Sequence, residues 1–79
     1  SQEYNAVLRL SGIDKKGLVN EVTKLISNNM SVNINKINFD TEDSYFTGVI
    51  HVSVPNKNIL IRLVHNLSRL NGIDKIVRE

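Results

Sequence analysis

From Tyr4 to Leu10 the chain alternates, with Tyr4, Ala6, Leu8 and Leu10 on one side and Asn5, Val7 and Arg9 on the other. That period of two predicts a half-buried strand. Gly12 interrupts the alternation, and Asp14 stands where a helix N-cap would accept hydrogen bonds from the next turn. A helix is expected to open near Lys16 or Gly17. Its buried stripe is Leu18, Val22, Leu25 and Ile26, opposite Asn20, Glu21, Lys24 and Ser27, and Asn28-Asn29 closes it. Ser31 to Phe39 reads as a second strand in which Val32 and Ile34 share one parity and Ile37 and Phe39 the other, so a bulge near Asn35-Lys36 is needed to keep both pairs inward. The polar run Asp40 to Ser44 is expected to turn the chain into a third strand, Tyr45 to Val54, making a hairpin. Beyond Pro55, Asn56 or Asn58 caps a second helix with Leu60, Leu63, Val64, Leu67 and Leu70 inward. Asn71-Gly72 is expected to stop that helix, and Ile73 to Arg78 forms a last strand with Ile76 as its core residue.

The order βαββαβ implies an α+β, ferredoxin-like fold, a four-stranded antiparallel sheet with two helices on one face. Right-handed crossovers put the first and third strands in the centre and leave the second and fourth as edges. The expected core is Leu8, Leu10, Leu18, Val22, Leu25, Ile26, Val32, Ile34, Ile50, Val52, Leu63, Leu67 and Ile76.

Composition narrows the function more than it names one. At 79 residues the chain is one domain with little room for a deep catalytic cavity. With no cysteine there is no disulfide framework, thiolate metal site or cysteine nucleophile, which suits a reducing compartment, and a cytoplasmic location is expected. Ten basic residues against eight acidic ones leave a net charge of +2, a weak electrostatic footprint for nucleic acid. No apolar run approaches a membrane span, so no membrane partner is expected. His51 falls on a strand and His65 on the flank of a helix, without a paired-ligand spacing, and both read as surface or boundary histidines. Asp40, Glu42 and Asp43 lack the glycine and terminal glutamate of a calcium loop and read as a solvated turn. No serine has an activating base beside it, and no catalytic centre, metal site or cofactor is expected.

The same topology is that of an RNA-recognition module, but Tyr45 to Val52 lacks its basic and aromatic pattern, and Phe46 points toward the helices by parity. The outward sheet face is expected to show Val7, Tyr45 and Val49 beside Arg9 and His51, a strip suited to a protein surface or to occasional RNA contact. The loop Ser11 to Leu18 is the other place where chemistry gathers. Free amides at a helix N-terminus suit a small carboxylate, Gly17 admits close approach, and Asp14 would cap the helix or pair with an ammonium. A plain cap and tight turn accounts for the same residues.

Gly12-Ile13-Asp14-Lys15-Lys16-Gly17-Leu18-Val19, followed by Val22, Ile26 and Ser31-Val32-Asn33-Ile34, resembles an ACT domain over almost the whole chain. The later pattern of Asp40-Thr41, Ile50 to Val54, Leu60, Leu63, Leu67, Leu70, Gly72-Ile73, Ile76 and Arg78 is most similar to the C-terminal ACT domain of Rel/SpoT-type (p)ppGpp synthetases and hydrolases. That resemblance implies a regulatory domain spanning 1–79, excised from the C-terminus of a larger GTP pyrophosphokinase of the stringent response and not itself an enzyme. It further implies an amino acid held between the loop of one subunit and the second strand of its neighbour, with Asp14, Gly17, Leu18, Asn33 and Ile34 as ligand-binding residues. A homodimer, contacts with the parent's other domains, and ribosome or RNA contact through the parent are implied as well. The alternatives are an ACT module of an amino-acid biosynthetic enzyme or regulator, and a protein or RNA docking module with no ligand.

Overall fold

The computed structural model describes residues 3–13, 16–28 and 32–79. Its elements are β1 (Tyr4–Ile13), α1 (Leu18–Ser27), β2 (Asn33–Glu42), β3 (Tyr45–Val54), α2 (Lys57–Ser68) and β4 (Ile73–Arg78). The strand order is β2-β3-β1-β4 and every pairing is antiparallel, so the ferredoxin-like reading holds with β1 and β3 central.

Alternation decides which side of each strand meets the helices. Ala6, Leu8 and Leu10 of β1 and Phe46, Ile50, Val52 and Val54 of β3 are buried against Leu18, Val22 and Ile26 of α1 and Leu60, Leu63 and Leu67 of α2. Leu25, Val32, Ile34 and Ile76, expected in the core, are only partly buried and pack around it. Val32, Ile34 and Ile76 lie on or beside the edge strands β2 and β4, where there is no further strand to cover them. Ala6, Phe46, Val54 and Leu60 are buried core members beyond those expected, although the periodicity of their strands and helix already placed them on the inward side.

The bulge expected in β2 is present, since the register against β3 slips between Ile34, opposite Val52, and Lys36, opposite His51. Ile37 and Phe39 are thereby returned to the helix side, opposite Ile50 and Gly48. The Phe39 ring lies over Gly48, where a Cβ would come within 2.5 Å of it, and its centroid is 6.0 Å from that of Phe46.

Four boundaries differ from expectation, and at the two strand ends the reason is a distant strand that satisfies the backbone. β1 does not stop before Gly12, for Ser11, Gly12 and Ile13 pair with Thr47, Phe46 and Tyr45, and the Ile13 N–H also donates to the Gly72 carbonyl at 2.9 Å. Asp40 to Glu42 belong to β2 and pair with Thr47, Phe46 and Tyr45, leaving a turn of only Asp43-Ser44 with Asp43 at φ 59°. The N-cap of α1 is Gly17, at φ 84°, rather than Asp14. α2 is capped as expected by Asn56, whose side chain accepts from the Ile59 N–H at 2.9 Å, but it ends at Ser68 instead of running to Asn71-Gly72. There the chain tightens, Arg69 and Leu70 donating to the carbonyls of Asn66 and Leu67, and so turns back toward β4. Asn29 and Ser31, expected at the end of α1 and the start of β2, lie outside the described residues. At the other end of the chain Arg78 stacks over the Tyr4 ring, 5.2 Å from its centroid, and donates to the Tyr4 hydroxyl at 2.6 Å.

Candidate functional site

The four expected ligand residues that the structure describes, Gly17, Leu18, Asn33 and Ile34, divide into two groups at opposite ends of the sheet. Asn33 opens β2 opposite Ser53 of β3, which in turn lies opposite Asn5 near the start of β1. Gly17 follows the far end of β1, eight residues beyond Asn5, and eight residues of strand span about 26 Å. One chain therefore does not bring Gly17 and Asn33 together. Asp14 lies outside the described residues.

At the α1 end, Gly17 is exposed, contributes no side-chain acceptor, and an added Cβ would meet nothing within 4 Å. Its carbonyl takes the Glu21 N–H at 2.9 Å and so starts the helix. This leaves backbone surface that a ligand reaches without crossing a side chain. The Leu18 side chain is buried in the core, so only its backbone amide faces such a ligand. Gly12 is filled from another direction, because a Cβ there would sit 2.0 Å from the Gly72 carbonyl oxygen. The turn before β4 occupies the space that a side chain at position 12 would use.

At the β2 end, Asn33 is exposed on the free edge of the sheet and Ile34 packs against the core. Asn33 Nδ2 donates to Asn35 Oδ1 at 2.9 Å, Asn35 Nδ2 donates to Ser53 Oγ at 2.8 Å, and Ser53 Oγ donates to Asn5 Oδ1 at 2.6 Å. This polar chain crosses three strands and keeps Ser53 only 4% exposed on the side away from the helices. Sequence reasoning missed it. The signal was the parity slip at Asn35, which places an amide over the neighbouring strand's serine.

The open face of the sheet carries the residues that parity assigned to it, though polar groups dominate. A shallow depression of about 320 Å³ there is lined by Arg9, Ser11, Asp40, Thr47, Val49 and Lys75 among others. Tyr45 is exposed and its hydroxyl donates to Asp74 at 3.1 Å, while Arg9 is engaged by Glu79 in the one ion pair among the described residues. His51 is half-buried and His65 exposed. Among the described residues no cluster of metal-ligating side chains occurs, and no helix is long and apolar enough to cross a membrane.

The fold is ferredoxin-like, with an exposed glycine at the start of α1 and an exposed asparagine on the free edge of β2. The ACT-domain family model matches residues 1–78, and the chain belongs to that family. Its structure superimposes on the crystal structure of the ACT domain from GTP pyrophosphokinase of Chlorobium tepidum with a TM-score of 0.91 at 29% identity, covering 99% of this chain and 100% of that one. The solution structure of the same domain gives 0.83 at 30% identity, covering 98% and 86%. An ACT domain protein from Streptococcus pneumoniae gives 0.72 at 27% identity, covering 95% and 86%. No curated protein matches the chain significantly in sequence.

Proposed function

We propose that this chain is the amino-acid-sensing regulatory module of a GTP pyrophosphokinase of the stringent response. The observation that carries this reading is the end-to-end similarity to the Chlorobium tepidum domain, taken with the exposed glycine cap at α1. The module makes no nucleotide itself. It relays ligand occupancy to catalytic domains elsewhere in a cytoplasmic parent, within reach of the ribosome.

The ligand site is shared between two copies. β2 is an edge strand with unpaired backbone groups, and a second β2 laid antiparallel along it extends the sheet. Antiparallel pairing sets the Asn33 end of one strand beside the Glu42 end of the other, which is where the partner's β1 leads into its α1. The ligand carboxylate then meets the backbone amides at Gly17 and Leu18 of one subunit, favoured by the helix dipole. Asp14 takes the ammonium, and the second N–H and the carbonyl oxygen of Asn33, not used by Asn35, come from the other subunit beside Ile34. A ligand held by both copies binds only the dimer and strengthens it by mass action, and this converts amino-acid concentration into an association signal.

Titrating the protein with each common amino acid, branched-chain ones included, should shift the amide resonances of Gly17 and Asn33 together. Shifts confined to the open face around Tyr45 and Val49 refute the placement. No change at millimolar ligand, where binding is worth about 4 kcal/mol, replaces sensing by docking as the function.

The pairing has a register of its own. Lys36, Asn38 and Asp40 share the open face of β2, and Ile37 and Phe39 the helix face. A two-fold axis at Asn38 sets each Lys36 opposite an Asp40 and each Ile37 opposite a Phe39. Asp40→Lys should therefore weaken the dimer by on the order of tenfold in sedimentation equilibrium, and adding Lys36→Asp should restore it. A double variant no better than the single one removes this register.

A further inference from the structure

We propose that the outer face of α2 docks an acidic amphipathic helix from another protein segment. The face is defined by an i, i+4 row, Lys57, Ile61, His65 and Arg69, with Arg62 beside it, and all five side chains are exposed. Between Ser44 and Ile73 the chain has no aspartate or glutamate, so nothing on α2 neutralises its cations. Among the described residues neither Lys57, Arg62 nor Arg69 forms an ion pair. Lys57 moreover sits in the first turn, where the helix dipole disfavours a positive charge and no acidic residue offsets it. A helix face whose only role was solvation has no need of that arrangement, and interspersed charges of both signs would serve better.

The middle of the row points to protein. Ile61 is 58% exposed, the highest value among the exposed large apolar residues described, and it stands at the centre of the basic face. A phosphate backbone offers it nothing. Three cations along about 18 Å of helix also fall well short of the roughly six to ten phosphate contacts that give strong nucleic-acid binding. An i, i+4 ridge, by contrast, fits the groove between two ridges of a second helix. Carboxylates on that helix facing Lys57, Arg62 and Arg69, and one apolar side chain on Ile61, complete a small interface with an apolar centre and a charged rim. Its area suits a transient contact such as one between domains. This surface lies on the side of α2 opposite its buried leucines, shares no residue with the proposed ligand site, and is independent of the ligand reading.

The test uses a capped helical peptide with glutamates spaced to face Lys57, Arg62 and Arg69 and a leucine to face Ile61, titrated into isotopically labelled protein. Saturable amide shifts along Lys57 to Arg69 are expected. Ile61→Ser and Arg62→Glu should each weaken binding about tenfold, with unchanged melting because both side chains are exposed. A scrambled peptide of the same composition should bind at least about tenfold more weakly. Equal binding of the scrambled peptide, shifts away from α2, absence of saturable shifts, or tighter binding of a duplex RNA to the same face would each overturn the proposal.

Discussion

Truncating Leu63 to alanine should destabilise the domain by about 2–5 kcal/mol, the combined loss of transfer free energy and the cavity left behind. Leu63 has no exposed surface, and it lies on the α2 stripe between Leu60 and Leu67, packed with residues of α1 and the central strands. The sheet beneath is held by its own ladders and does not readily collapse into the gap. Ile61, two residues away on the same helix and 58% exposed, provides the internal control: Ile61→Ala should stay within about 0.5 kcal/mol. Chemical denaturation of the two variants measures both. A Leu63→Ala change below about 0.5 kcal/mol would remove α2 from the core.

Gly12→Ala should cost about 1–3 kcal/mol or more, with a distinct local signature. The new methyl would lie 2.0 Å from the Gly72 carbonyl oxygen and 3.1 Å from the Asp74 amide nitrogen. Both obstacles are backbone, so relief requires moving the turn that enters β4, and that displaces the bond from the Ile13 N–H to the Gly72 carbonyl. Hydrogen exchange at Ile13 should accelerate along with the fall in melting temperature. Gly17→Ala is the contrast, since it meets no atom within 4 Å and bears only the left-handed backbone penalty of about 1 kcal/mol. An equal effect at the two glycines would mean that the β1–β4 approach is looser than the structure has it.

What the sequence determined by itself is whatever repeats with a period. Alternation in Tyr4 to Leu10 and Tyr45 to Val54, the leucine stripe of α2, and the parity slip at Asn35 are one-dimensional consequences of which side of an element must be dry. The cap of α2 was legible as one of two asparagines, Asn56 or Asn58, because a cap hydrogen bond closes within three residues, and the structure uses Asn56. Element ends were not. Gly12 stays in β1 and Asp40 to Glu42 stay in β2 because strands distant in the chain satisfy their backbone groups. The motif positions Gly17 and Asn33 could be read off the chain, but their separation to opposite ends of the sheet is set by strand register. The same register brings Asn33, Asn35, Ser53 and Asn5 into one polar chain from three strands. Local periodicity determines which face of each element is buried, whereas distances between elements depend on pairings that close loops of tens of residues, and only the tertiary structure decided those.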